Sequence, residues 1–362
     1  MVDEQLRARQ QAVRTILEER KLDALLVTSA PNIRYLSGFS GSAGMLLLTP
    51  ADAVLVTDFR YASQAPAEVG DSARTVIERT NIWDRLGREL TAASIGRLGV
   101  EGVHLTLRDA RRLAEQGRFT LEPVEDVVEG LRASKSPEEV AAVSRAVDVA
   151  QGALAAVLPT VHPGDRELDV AARLEAALRQ RGSEWHPFPT IVASGPRSAL
   201  PHARSTERVI APGDWLLLDF GAQVDGYCAD LTRTILVGRK ADSRQRDVYD
   251  TVRQAQARAV QNIRAGMTGR EADALARDVI AGHGFGEAFG HSLGHGLGLE
   301  VHEAPRLAPT ADAPLPAGAV VTVEPGIYLP GWGGVRLEDD VHLGPDGPVC
   351  LSDQRTELVE LV

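Results

Sequence analysis

The chain has 362 residues, of which 44% are hydrophobic and 25% charged, proportions typical of a soluble globular protein of about two domains. Its 39 basic and 50 acidic side chains give a net charge of −11 without any basic run, which argues against a nucleic-acid partner. The first 21 residues lack an apolar signal core, no later segment is expected to span a membrane, and Cys228 and Cys350 are too few for a disulfide framework, so we expect a cytoplasmic protein.

The N-terminal third alternates apolar strands with amphipathic helices, which predicts an α/β domain. Strands are predicted at residues 23–28, 45–49, 53–57 and 97–100, and helices at 5–19 and 107–116. Two polar–aromatic segments, 32–38 and 57–61, are predicted to be a loop and a strand end. A boundary near residues 132–135 predicts an N-terminal domain of residues 1–131 and a second domain of residues 132–362.

The second domain begins with a clear helix signal. Ser136, Pro137 and Glu139 match a capping box with proline at the first helical position. An apolar stripe at helical spacing follows, and a third long helix is predicted over residues 243–264. Thr268 and Glu271 form the capping box of a fourth helix.

An internal duplication is the most informative feature of the second domain. Residues 166–173 and 270–277 share five of eight residues at an offset of 104. Each copy continues into an apolar strand that ends in an acid, Asp219 in the first and Glu324 in the second. Such repeats indicate two supersecondary units related by a pseudo-twofold axis.

A second acid follows each of these, Asp230 after Asp219 and Glu338 after Glu324. Asp225-Gly226 predicts a type I′ hairpin turn, whose register pairs Asp219 with Thr232 and places Asp230 on the same sheet face as Asp219. An isolated aspartate pair would more often be two solvated acids, but the duplicated partner favours four converging carboxylates. Because buried like charges raise one another's pKa, such a set indicates bound divalent cations.

Three histidines lie in one glycine-rich stretch before the Glu324 strand, at His291, His295 and His302. Glycines at 294, 296 and 298 exclude a zinc-binding helix, and we expect a strand or loop at the site instead. His202 precedes the Asp219 strand much as His302 precedes the Glu324 strand, which predicts a histidine on each side of the cluster. Arg336 is expected on the same face as Glu338, either orienting a ligand carboxylate or forming a simple ion pair.

These motifs resemble those of the pita-bread metallopeptidases, specifically the Xaa-Pro peptidase group that contains aminopeptidase P and prolidase. The matching stretches are Leu218–Gly221, Ala229–Arg233, Gly294–Gly298, Thr322–Gly326 and Val335–Asp339, and the N-terminal part resembles a creatinase-type domain. The resemblance implies an α/β creatinase-type N-terminal domain followed by an α+β pita-bread catalytic domain with a pseudo-twofold internal duplication.

The resemblance also implies the ligands and the chemistry. Asp219, Asp230, His295, Glu324 and Glu338 would bind two divalent ions per chain, Mn²⁺, Co²⁺, Fe²⁺ or Zn²⁺, for metal-assisted amide hydrolysis. Glu324 would also move the proton, while His302 and His291 would stabilise the carbonyl and the tetrahedral intermediate. His202 would line the substrate pocket, and Tyr328 and Arg336 would support the ligands. The partner would be a peptide with proline at its second position, with no nucleic acid or membrane involved, and the protein would be a homodimer.

Several alternatives remain at this point. A methionine aminopeptidase-like enzyme would normally lack the N-terminal domain, and a creatinase would lack the metal ligands. An inactive peptide-binding module would have lost ligands, and a calcium-stabilised structural protein would not use histidine. Within the Xaa-Pro group the choice between aminopeptidase and dipeptidase stays open, because Arg306 is the family's candidate for the carboxylate of a dipeptide but could equally form a surface ion pair.

Overall fold

The structure is a computed structural model that describes residues 2–352 and 356–362. The chain divides into two compact units, Met1–Arg132 and Ala133–Val362.

The first unit is built around a six-stranded mixed sheet. Its strand order is β4-β3-β2-β1-β5-β6, in which β2 is antiparallel to both β1 and β3 and the other neighbours are parallel. The strands are β1 Ala24–Val27, β2 Gly44–Leu48, β3 Ala53–Asp58, β4 Arg74–Glu78, β5 Arg97–Glu101 and β6 Thr120–Val124. The helices are α1 Val2–Glu19, α2 Ala30–Ser37, α3 Gln64–Val69, α4 Ile82–Ala92, α5 Leu107–Ala114 and α6 Val127–Arg132.

One sequence expectation in this unit is wrong. Residues 32–37 belong to helix α2 and not to a loop; Pro31 stands in its first turn and Gly38 ends it at φ 77°. The side chain of Asn32 is buried and forms hydrogen bonds with Glu101 and Arg132. Tertiary contacts therefore stabilise a short helix whose sequence has no strong helix signal of its own. The segment 57–61 does end a strand, and Phe59–Tyr61 adds one turn of 3₁₀ helix.

The second unit contains two packed helix pairs and two main sheets. Its helices are α7 Pro137–Val157, α8 Glu167–Gln180, α9 Ser243–Asn262 and α10 Gly269–Gly282. The strands of the first half are β7 Ile191–Ser194, β8 Trp215–Phe220, β9 Gln223–Val224, β10 Tyr227–Cys228 and β11 Leu231–Val237. Those of the second half are β12 Gly294–Gly296, β13 Glu303–Leu307, β14 Val320–Val323, β15 Gly326–Leu329, β16 Gly333–Arg336, β17 Asp339–Gly344, β18 Gly347–Cys350 and β19 Glu360–Leu361.

The duplication in the sequence corresponds to a repeated order of elements. Helices α8 and α10 each have 14 residues and pack against α7 and α9 respectively. Two sheets follow, with orders β19-β11-β8-β7 and β13-β12-β14-β17-β18. Gly213 and Gly318 precede β8 and β14 at equivalent positions, both with left-handed backbones, at φ 88° and 81°. Each half therefore delivers its acid from the same structural position.

The hairpin between β8 and β11 has the predicted register. Asp225 and Gly226 have φ 51° and 77°, as a type I′ turn requires, and Val224 pairs with Tyr227. Asp219 pairs with Thr232, with no bulge between β8 and β11. Thr232 shares a face with Asp219 because the two residues are opposed, and Asp230, two residues before Thr232, lies on that face as well.

Helix α7 has the predicted capping box, in which Ser136 and Glu139 exchange hydrogen bonds. Contrary to the sequence expectation, the stretch Pro137–Thr160 is long and apolar enough to cross a membrane. Its apolar stripe, however, packs into the core of the first half against α8 and β8, as in the core helix of a globular domain. The apolar stripe therefore follows from internal burial.

Candidate metal centre

The first two acids of the site come from neighbouring strands of the first half. Asp219 lies in β8 and Asp230 immediately precedes β11, and both side chains are buried. The backbone N–H of Asp230 donates to Asp340 Oδ2 at 3.1 Å, which fixes the turn that carries this acid.

The second half brings three further donors to the same place. His295 lies in β12, Glu324 directly follows β14, and Glu338 lies between β16 and β17. His295 Nε2 is 3.8 Å from Asp230 Oδ2 and 3.6 Å from Glu324 Oε1. One ligand atom each of Asp230, His295 and Glu338 lies within 4.8 Å of the others. The two halves thus converge on one cluster of oxygen and nitrogen donors.

Thr232 joins the two halves at this cluster. Its backbone pairs with Asp219 on one side, and its carbonyl accepts the Glu338 N–H at 3.1 Å on the other. Its hydroxyl donates to Glu338 Oε2 at 2.6 Å and accepts from Arg336 Nε at 3.0 Å. The sequence placed Thr232 opposite Asp219, but its contacts with Glu338 and Arg336 appear only in the folded chain.

Glycines let the histidine strand enter between its neighbours. A Cβ on Gly294 would collide with the carbonyl of Thr322, and one on Gly296 with the carbonyl of Ala304. This close approach of the backbones places His295 in the cluster. The backbone N–H of His295 donates to Thr322 Oγ1 at 3.1 Å.

The carboxyl groups of the cluster have raised pKa values because they are buried and repel one another. The pKa of Glu338 is raised to about 8, mainly by burial and secondly by repulsion from Asp219. Burial, followed by repulsion from Glu338, raises the pKa of Asp230 and of Glu324 well above the usual range. Burial lowers the pKa of His295 to about 4, so its imidazole is neutral at pH 7 and free to ligate.

Divalent cations fit this donor set. Asp219 Oδ1 and Asp230 Oδ1 are buried and have no hydrogen-bond donor among the described residues. Four carboxylates with one neutral imidazole form a mostly hard ligand set that suits first-row divalent ions. A cation would supply the missing partner of these oxygens and remove the mutual repulsion.

A hydrogen-bonded chain borders the donor set. Arg336 Nη2 donates to Asp219 Oδ2 at 2.5 Å, and its Nη1 donates to the Tyr328 hydroxyl at 2.8 Å. The Tyr328 hydroxyl lies 2.9 Å from His291 Nε2, while His291 Nδ1 lies 2.8 Å from the Ser292 carbonyl. A carbonyl only accepts, so Nδ1 carries the proton and Nε2 accepts the Tyr328 hydroxyl. Both ring nitrogens of His291 therefore have partners in this structure, and its carbonyl-binding role stays a prediction.

His202 and His302 are the histidines that face the solvent side of the cluster. Both residues are exposed. Their charges, if protonated, would act on Asp219, and the His302 ring centroid lies 4.4 Å from that of His295. This position suits a substrate-contacting role better than the position of His291 does.

The structure also identifies supporting acids that the sequence did not distinguish. Asp340 is buried and holds the Asp230 backbone, and Asp339 is buried and pairs with Arg233 at 2.7 Å. Arg233 Nη1 in turn donates to the Glu338 carbonyl at 2.6 Å. These contacts fix the backbone at Asp230 and at Glu338 and the residues that follow it, as supporting hydrogen bonds around metal ligands generally do.

Fold and site together define a metal-dependent hydrolase whose donors come from two halves of one domain. The chain belongs to metallopeptidase family M24, whose model matches residues 141–345, and the creatinase/prolidase N-terminal domain matches residues 9–134. Its fold is accordingly a creatinase-type domain followed by a pita-bread catalytic domain, and the chain is a metallopeptidase.

Its relatives share nearly their whole length with it. An Xaa-Pro dipeptidase of Pyrococcus horikoshii is 36% identical over 95% of this chain and 96% of its own. A solved Xaa-Pro dipeptidase from Bacillus anthracis is 41% identical, with a TM-score of 0.95 over 98% of this chain and 100% of its own. A solved X-Pro aminopeptidase from Thermotoga maritima is 35% identical, with a TM-score of 0.90 over 97% of this chain and 99% of its own.

Proposed function

We propose that this metallopeptidase hydrolyses the bond between an N-terminal residue and proline, and that it acts as an Xaa-Pro dipeptidase. The observation that carries the proposal is the convergence of five donor residues from both halves of the domain on one buried cluster. The names of the relatives, Xaa-Pro dipeptidases and an X-Pro aminopeptidase, support the proline specificity.

The ligands would be Asp219, Asp230, His295, Glu324 and Glu338, holding two divalent ions per chain, Mn²⁺, Co²⁺ or Zn²⁺. When bound, such ions would activate water and polarise the scissile carbonyl as Lewis acids. Glu324 lies at the His295 side of the cluster, and its carboxylate would move the proton from the attacking water to the leaving nitrogen.

Exposed histidines would bind the substrate. His302 and His202 flank Asp219 and would donate hydrogen bonds to the scissile carbonyl and its tetrahedral form. His291 would act indirectly, because its Nε2 accepts the Tyr328 hydroxyl. Arg336 would orient Asp219, and its charge opposes burial, which raises the pKa of that ligand.

Apolar groups next to the carboxylates suit a proline side chain. Ile191 is paired with Asp219 across the sheet and shares its face, and it packs against the small apolar cluster of Ala199, Leu217 and Tyr328. A Cβ on Gly221 would lie 2.8 Å from Pro187 Cγ and 3.0 Å from Phe188 Cε1, so these two side chains lie close to Gly221, two residues from Asp219. An Xaa-Pro amide has no N–H to bind, and an apolar slot can hold the ring instead.

Arg306 favours the dipeptidase over the aminopeptidase. It is exposed on β13 directly opposite His295, so both side chains project to the same face of the sheet. No ion pair or hydrogen bond of its side chain occurs within residues 2–352 and 356–362, unlike Arg336. A free guanidinium beside the metal ligands would bind the terminal carboxylate of Xaa-Pro.

The test compares Ala-Pro with Ala-Pro-Ala-Ala in the presence of Mn²⁺ or Co²⁺. We expect hydrolysis of the dipeptide and little release of alanine from the tetrapeptide. Arg306→Met should raise KM for Ala-Pro by about 10- to 100-fold with a smaller change in kcat. Arg270→Met, at an exposed arginine paired with Asp312, is the control and should behave as wild type. Efficient cleavage of the tetrapeptide would instead identify an aminopeptidase, and cleavage of neither would contradict the proline specificity.

We further propose cytoplasmic residence and a homodimer. The cytoplasmic assignment is supported by two free cysteines in a chain of this length. Light scattering of the purified protein would give the mass and test the dimer.

A further inference from the structure

Arg277 on α10 lies outside the donor set yet holds the segment that carries His291. Its Nη1 donates to the Phe289 carbonyl at 2.8 Å and its Nη2 to the His291 carbonyl at 2.7 Å. The guanidinium also lies over the Phe289 ring, 4.2 Å from its centroid. The Phe289 ring meets the His291 imidazole edge-on, with centroids 5.1 Å apart. One guanidinium therefore fixes both the backbone and the ring contact of His291.

Asp273 fixes Arg277 in turn. The carboxylate accepts Arg277 Nε at 2.6 Å and Nη2 at 2.9 Å, a bidentate pair, and only 1% of the Asp273 residue is exposed. Its Oδ1 also accepts the Leu293 N–H at 3.0 Å, and the Leu293 carbonyl accepts the N–H of Glu324 at 2.9 Å. The pair thus holds the histidine segment on both sides of His291.

The orientation of His291 matters because its Nε2 accepts the Tyr328 hydroxyl. Tyr328 is linked through Arg336 to Asp219. A rotation of the imidazole would leave the buried Tyr328 hydroxyl without its acceptor.

We propose that the Asp273–Arg277 pair positions the His291 ring so that it accepts the Tyr328 hydroxyl, and that catalysis depends on this positioning. The proposal rests on the proposed peptidase function, since its effect on turnover passes through groups that border the metal ligands. Arginine is required because its planar fork reaches two carbonyls and a carboxylate at once, whereas a lysine ammonium has one donor centre.

The duplication supplies a matched control. Arg173 on α8 occupies the repeat position equivalent to Arg277. It pairs with Asp165 at 2.6 Å, with 35% of its side chain exposed, and no contact with a histidine segment is found for it in the described residues. Replacing either arginine removes the same charge from the same position of a helix, but only one replacement releases His291.

Kinetics of the metal-loaded enzyme on Ala-Pro form the first test. Arg277→Met should lower kcat by about 10- to 100-fold with metal content retained and KM changed less than about threefold. Arg277→Lys should recover part of the loss, and Arg173→Met should retain wild-type kcat. Arg277→Met combined with His291→Gln should lose no more than the larger single loss, because both act through one group. A double variant whose loss of kcat equals the product of the two single losses would overturn the proposal.

The tautomer of His291 forms a second test that needs no activity. ¹⁵N-histidine NMR of the Zn²⁺-loaded protein, assigned with His291→Gln, should show an Nδ1-protonated ring in wild type and in Arg173→Met. The signal should change in Arg277→Met and, if that variant does not fold, in Asp273→Asn. An unchanged tautomer would overturn the proposal. If wild type cleaves neither peptide while the tautomer still responds to Arg277→Met, the peptidase function fails and the structural half of the proposal stands.

Discussion

Two sets of buried carboxylates in the catalytic unit differ in their hydrogen-bond donors. Glu167 is fully buried, and its oxygens accept the backbone N–H and hydroxyl of both Ser194 and Thr206, as well as Arg197 Nε. Asp219 and Asp230 each have one buried oxygen for which the described residues supply no donor, and both acids are repelled by Glu338 or Glu324 nearby. Burial alone therefore does not mark a functional acid. Burial without a donor and among like charges marks the cluster and its surroundings, which include Asp340, whose Oδ1 also lacks a donor among the described residues.

Neutralising one of the proposed metal-binding acids is expected to have the largest effect. Glu324→Gln should lower kcat on Ala-Pro by about 10²- to 10⁴-fold, because the amide cannot move the proton. The metal-free variant should melt no lower than wild type, because a repelling charge has been removed. Steady-state kinetics and a circular-dichroism melt measure both effects. Retained turnover would take Glu324 out of the mechanism.

Glu167 should respond in the opposite way. Glu167→Gln should lower the free energy of unfolding by about 1–3 kcal/mol, because one oxygen becomes a donor that faces the donors around it. Metal content should stay at the wild-type level, since Glu167 does not contact the donor set. Urea unfolding and metal analysis provide the readouts, and Glu207→Gln, at a side chain that is 80% exposed, is the control expected to change little. Loss of metal without loss of stability would contradict the distinction.

The smallest expected effect is the release of protons when metal binds, which depends on the pKa values of the carboxyl groups and the imidazole in the cluster. In the metal-free protein at pH 7, Glu338 with a pKa of about 8 is mostly protonated, whereas His295 with a pKa of about 4 is already neutral. Metal binding should therefore release about one proton or more per chain from the carboxyl groups and none from the imidazole. The release should diminish as the pH rises past 8. Calorimetry in two buffers of different ionisation enthalpy measures it, and a pH-independent release would contradict the raised pKa of Glu338.

The sequence was sufficient for features that depend on local periodicity. The Asp225-Gly226 turn and the two-residue period of a strand place Asp219 opposite Thr232, and the structure has that register. The capping boxes at Ser136 and Thr268 begin helices as predicted. These features were predictable because they involve neighbours in the chain.

The remaining features depend on contacts between distant segments. Helix α2 was missed because Asn32 is stabilised by Glu101 and Arg132, far away in the chain. Asp273 and Arg277 served only as markers of the repeat, because their contacts with residues 289–293 appear only in the folded chain. The sequence could not show that both ring nitrogens of His291 have partners, because Tyr328 is 37 residues away in the chain.

The contact between Thr232 and Glu338 closes a loop of 106 residues and has a consequence for assembly. Neither half of the catalytic unit carries all five proposed ligands, so a chain released before Glu338 is synthesised would lack one of them. Long-range closure of this kind is slow and entropically costly. Cations that bind only the closed arrangement would stabilise it by mass action. A supply of such cations would therefore raise the fraction of chains in the closed arrangement.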